Sequence, residues 1–85
     1  EITIISEKNK EISKFILDDL ERGCTFIKGI GGFTRKDTSI LYTVLDRNEF
    51  IKLKNKIKEI DKNAFITVGE VHEVMGEGFM GIDED

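Results

Sequence analysis

The sequence predicts a small α+β domain in the order β-α-β-β-α-β, and three observations lead there. Four short β-branched or apolar runs, "ITII", "CTFIKG", "SILYTVL" and "AFITV", are spaced along 85 residues. Two longer segments carry apolar residues at helical spacing. The interval between the second and third runs is rich in glycine and has no period, as a hairpin requires.

The elements follow in chain order. Ile2 to Ile5 reads as the first strand, and Ser6 after it as an N-cap. Ile12, Phe15, Ile16 and Leu20 then recur on one helical face, with Gly23 as a left-handed stop, so the first helix is expected over about Glu7 to Arg22. "CTFIKG" is the second strand and Ser39 to Leu45 the third. "FIKLKNKIKEI" is ambiguous, because Ile51, Leu53 and Ile57 alternate with lysines as in a strand. Asp46 and Glu49 nevertheless stand at capping-box spacing, and Phe50, Leu53, Ile57 and Ile60 form one helical stripe. A helix from Arg47 to Ile60 is the better reading. Ala64 to Val68 is the last strand, and from Gly69 the text loses its period and ends in acid. This predicts one domain over 1–79 and an acidic tail over 80–85.

This order is the split-βαβ, ferredoxin-like arrangement: two helices on one face of a four-stranded antiparallel sheet, with strand order 4-1-3-2. The third strand adds a further expectation. Leu41 and Leu45 point one way while Ile40, Tyr42 and Val44 point the other, so both faces are apolar. A sheet with one wet face alternates polar and apolar. The face away from the helices is therefore expected to be covered, most simply by another subunit.

Composition narrows the function classes. A net charge of −4 argues against a dedicated nucleic-acid surface. Cys24 is the only cysteine, which excludes an internal disulfide and fits a reducing compartment. No apolar run is long enough to span a membrane. The text runs straight into "EITIIS" without an initiator methionine, as in a domain cut from a longer chain.

"KGIGGFTRKD" is the densest glycine cluster. A P-loop needs Gly-Lys-Ser/Thr leading into a helix, and here Gly29, Gly31 and Gly32 lead into Phe33, Thr34 and a strand. The stretch turns a hairpin, its glycines supplying positive φ, and a ligand loop on that hairpin stays open beside the plain turn. His72 stands among Glu70, Glu73 and Glu77 without a metal-ligand spacing, so no metal is expected. Cys24 has no partner base in the sequence pattern, and neither catalysis nor a cofactor is expected.

"ERGCTFIKGIGGFT", "ILYTVLDRNEFIKLKNKIKEIDKNAFITV" and "VHEVMGEGF" together resemble the C-terminal cytosolic domain of the YitT-type multi-spanning bacterial membrane proteins. The resemblance runs from Ile2 to Phe79. It is carried most specifically by Gly29-x-Gly31-Gly32-Phe33-Thr34, by "IDKNAF", and by His72-Glu73-Val74 followed by Gly76-Glu77-Gly78-Phe79. Cys24 and Lys62 depart from the family's usual valine and proline. The resemblance implies a ferredoxin-like shape akin to PII signalling proteins and ACT domains. It also implies attachment to a transmembrane bundle and a place at the cytoplasmic face of the membrane.

The resulting expectation is a non-catalytic regulatory or ligand-sensing module that self-associates as a dimer or trimer. It would bind a small metabolite or nucleotide between Gly29, Gly31, Gly32, Phe33 and Thr34 on one side and His72, Glu73, Gly76, Gly78 and Phe79 on the other. The alternative is a purely structural oligomerisation domain with no ligand.

Overall fold

The computed structural model describes residues 1–71 and residue 75. The strands are β1 (Ile2–Ile5), β2 (Thr25–Ile30), β3 (Asp37–Thr43) and β4 (Phe65–Val68), with helices α1 (Asn9–Asp18) and α2 (Arg47–Ile60). They form one antiparallel sheet in the order β2-β3-β1-β4, the expected ferredoxin-like topology.

The core follows from alternation on the strands and from periodicity on the helices. Ile2 and Ile4 of β1 and Leu41 of β3 point to the same side, where Ile12 and Ile16 of α1 and Leu53 and Ile57 of α2 close over them. All seven are buried, and removing this apolar surface from water is the main driving force for the fold. Asn9 is one of several buried polar residues at this layer, with Ser6, Ser13 and Thr43. Its buried amide donates to the Ile4 and Ser39 carbonyls at 3.1 and 2.8 Å, tying the start of α1 to two strands.

α2 has the expected bounds. Asp46 accepts from the Glu49 N–H at 2.8 Å while the Glu49 carboxylate accepts from the Asp46 N–H at 3.0 Å, so the capping box is closed. The same Glu49 also accepts from Arg22 Nε at 2.9 Å, which links the end of the first αβ connection to the second helix.

α1 is shorter than its sequence suggests, because both of its expected ends behave differently. Ser6 Oγ accepts from the Lys8 N–H at 2.9 Å and donates to Asp61 at 2.6 Å, so it caps a turn before the helix instead of the helix itself. At the other end Glu21, not Gly23, takes the left-handed conformation, with φ 54°. The Arg22 N–H then reaches back six residues to the Ile16 carbonyl at 3.1 Å. β3 likewise starts two residues early and ends at Thr43, leaving Val44 and Leu45 beyond it. The Thr43 hydroxyl donates to the Gly23 carbonyl at 2.8 Å.

On the sheet face away from the helices, Phe65, Ile5, Ile40 and Ile27 lie side by side across all four strands. The next row is Thr67, Thr3, Tyr42 and Thr25. Phe65 is 61% exposed and Ile27 44%, so within one chain this apolar row is open to solvent.

Candidate functional site: the glycine hairpin and the opposite end of the sheet

The hairpin between β2 and β3 extends well past the body of the domain. β1 stops pairing with β3 at Ile5 and Ile40, whereas β2 and β3 continue through Lys28–Ser39, Gly29–Thr38 and Ile30–Asp37. The loop is closed by the Gly31 N–H on the Lys36 carbonyl and by the Arg35 N–H on the Gly31 carbonyl, both at 2.8 Å. Such a one-turn loop needs a left-handed residue before it rejoins the strand, and Arg35 supplies it at φ 60°. The expectation that the glycines provide positive φ is thus corrected: Arg35 provides it, and none of the three glycines does.

What the loop asks of Gly31 is room. A Cβ there would lie 2.7 Å from Thr34 Oγ1, closer than side chains tolerate. Thr34 Oγ1 in turn accepts a long 3.3 Å bond from the Lys36 N–H. Gly29 faces Ile40 across the ladder, where a Cβ would sit 3.3 Å from the Ile40 methyl, while a Cβ on Gly32 would enter open space. Phe33, next after Gly32, is 99% exposed at the tip. The hairpin therefore brings Gly29, Gly31, Gly32, Phe33 and Thr34 together as one wall. His72, Glu73, Gly76, Gly78 and Phe79 lie outside the described residues.

Two open hollows flank this frame at opposite ends of the sheet. One, about 1010 Å³, runs beneath the hairpin beside the start of α1 and is lined by Thr34, Lys36, Ser39, Asn9, Lys10 and Asp61. The other, about 640 Å³, is an apolar groove between the end of β4, the β3–α2 corner and the first turns of α2. The chain leaves β4 into this second groove, where the Gly69 N–H donates to the Glu1 carbonyl at 2.9 Å and Val71 joins the lining. From the Ile2–Thr43 pair to the Ile30–Asp37 pair is six residues along β3, about 20 Å of strand.

The electrostatics around these walls are mild. Partial burial pushes the Cys24 thiol up, so the thiolate is disfavoured at neutral pH. Asp61 is held below the ordinary carboxylate range, first by the Ser6 hydroxyl and then by the Asn63 N–H. Among the described residues no group of three His, Cys, Asp or Glu side chains is placed to hold a metal ion. Asn9 and the Arg22–Glu49 pair were not legible as structural links in the sequence, because each joins elements 27 or 30 residues apart without any local pattern.

This fold, with its protruding glycine hairpin, belongs to a defined bacterial family. A family model described as "Uncharacterized protein conserved in bacteria (DUF2179)" matches residues 22–76, and the chain belongs to that family. It is 49% identical over 83 residues to the UPF0750 membrane protein YpjC of Bacillus subtilis, covering 98% of this chain and 28% of the relative. With the UPF0750 membrane protein YitT of the same organism it shares 29% identity over 73 residues, 86% of this chain and 26% of YitT. The chain thus spans little more than a quarter of these membrane proteins, and no helix among its described residues is long and apolar enough to cross a membrane. The crystal structure of a DUF2179 protein from Eubacterium ventriosum superposes with a TM-score of 0.70 at 29% identity, covering 80% of this chain and 93% of that one.

Proposed function

We propose that the chain is a non-catalytic regulatory domain of a bacterial integral membrane protein, lying on the cytoplasmic side and working as a self-associated unit that binds a small metabolite or nucleotide. The observation that carries this reading is the open apolar row Phe65–Ile5–Ile40–Ile27. An uncovered row of that length on a sheet face is what a second subunit would bury. The ligand would sit between the hairpin residues Gly29, Gly31, Gly32, Phe33 and Thr34 and the segment containing His72, Glu73, Gly76, Gly78 and Phe79. The glycines allow close backbone approach, and Thr34 and His72 give direction to hydrogen bonds. The likeness in shape to PII and ACT modules supports a nucleotide or amino acid as the ligand, by analogy of fold. Ligand binding would act on the membrane part through different affinity for two arrangements of the subunits.

Light scattering on the purified chain tests the carrying observation. The expected mass exceeds 9.7 kDa at micromolar concentration, and Ile27→Glu with Phe65→Glu lowers it while circular dichroism is unchanged. A monomer at all concentrations removes this reading. Thermal-shift screening against nucleotides, amino acids and metal ions then tests the ligand. With a ligand in hand, Thr34→Ala and His72→Ala weaken it without moving the melting temperature of the free domain. If they lower stability alone and no compound binds, the domain is a structural oligomerisation module instead.

A further inference from the structure

α2 is the basic element of an acidic domain. Arg47, Lys52, Lys54, Lys56, Lys58 and Lys62 against Glu49, Glu59 and Asp61 leave residues 47–62 net +3, so the rest, within a total of −4, carries −7. The acids of this segment are already engaged. Glu49 closes the capping box and holds Arg22, Glu59 lies 3.7 Å from Lys56, and Asp61 accepts from Ser6. Arg47, Lys54 and Lys58 form no ion pair among the described residues.

Those three cations share one stripe. Positions 47, 51, 54 and 58 recur at helical spacing beside the buried stripe of Leu53 and Ile57, and all four residues are exposed. No acid occupies the stripe, and its apolar member, Ile51, is 44% exposed. The stripe borders the apolar groove, where Val68 and Val71 are 58% and 41% exposed. Of the groove's carboxylates, Asp46 is held in the capping box and Glu1 accepts from Tyr42, which leaves Glu70 against Arg47 and Lys54. Glu1, through which a C-terminal domain would join its membrane part, lines the same groove.

We propose that the face Arg47–Ile51–Lys54–Lys58 rests on the anionic headgroups of the bilayer that holds the rest of the protein. Such a surface attracts cations within a Debye length, about 8 Å at physiological salt, so the stripe turns toward it while the acidic remainder turns away. Ile51, Val68 and Val71 then meet the boundary between headgroups and acyl chains. A nucleic-acid duplex would use the cations but leave these apolar residues uncovered. The membrane attachment proposed above is the premise; the open sheet face and the ligand are not.

Flotation of the purified chain with vesicles at low salt tests this contact. Binding is expected to vesicles of phosphatidylcholine with phosphatidylglycerol, fading with added salt and absent from phosphatidylcholine alone. Lys54→Glu with Lys58→Glu should lower the partition coefficient about tenfold. Lys14→Glu with Lys28→Glu makes the same change in net charge at exposed positions outside the stripe, and should lower it far less. No preference of the unmodified chain for anionic vesicles, or equal losses in the two double variants, overturns the inference. So does stripe-dependent binding to a DNA duplex without binding to vesicles, which would make nucleic acid the partner. Release of the full-length protein from membranes by alkaline carbonate would remove the attachment and the lipid face together, whereas failure of the vesicle test alone removes only the lipid face.

Discussion

Among the described residues, two non-glycine residues take the left-handed conformation, Glu21 and Arg35. A side chain in that conformation crowds the following carbonyl, at about 1 kcal/mol or more. Glu21→Gly is therefore expected to stabilise the domain by about 1 kcal/mol, measured by urea unfolding, since Glu21 lies three residues past the end of α1 and apart from the hairpin. Unchanged or lower stability would mean that the Glu21 side chain contributes more than its strain costs. Sequence reading placed these turns on glycines, as composition favours, and missed them because φ is decided by tertiary closure. At Asp61 the sign of a pH effect follows from its partners. Its folded pKa is depressed by Ser6 and the Asn63 N–H, so its contribution is present above the ordinary carboxylate range, about 4, and is lost as pH falls through the lower folded value. Asp61→Asn should flatten the fall in melting temperature between about pH 5 and pH 3. An unaltered acid profile would show that the Ser6 bond does not couple to folding.

Among the elements, α2 was the most legible because its signals are local. The Asp46–Glu49 box, the stripe Leu53–Ile57 and the high helix content of Lys and Glu all lie within fifteen residues, and they outweighed the strand-like alternation of lysines. Leu53→Ala and Ile57→Ala are each expected to cost about 2–5 kcal/mol, because both side chains are buried against β1 and α1. Ile51→Ala, on the open side of the same helix, is expected to cost under about 0.5 kcal/mol. Equal losses at 51 and 53 would contradict the buried stripe. α1 was less legible. Ser6 is a good cap by type, but Asp61, 55 residues away, engages it, and the helix starts three residues later. Strand ends shifted for a related reason: β3 gains Asp37 and Thr38 from pairing with Gly29 and Ile30, which no property of the β3 sequence announces.

For the molecule as a whole, the order of elements and the strand order were readable because runs of apolar residues alternate with helical stripes and a single hairpin. The candidate site was half readable: its hairpin residues are one continuous segment, while His72, Glu73, Gly76, Gly78 and Phe79 lie outside the described residues. The boundary expected after residue 79 is testable here, since removing residues 80–85 should leave the melting temperature within about 2 °C, as for loss of a segment outside the core. A larger fall would place part of the tail in the folded unit. One topological feature reaches beyond stability. β1 is the first strand of this domain in chain order yet lies second from the edge, paired to β3 on one side and to β4 on the other, with Ile2 opposite Val68. On the ribosome, therefore, β1 waits for more than sixty residues before its second neighbour exists. Until Phe65–Val68 emerges, the growing chain can bury Ile2 and Ile4 beneath α1 and α2 but still offers a row of unpaired amides along β1. Nascent chains held short of β4 should consequently capture strand-forming peptides, and completion of that last strand ends the vulnerability.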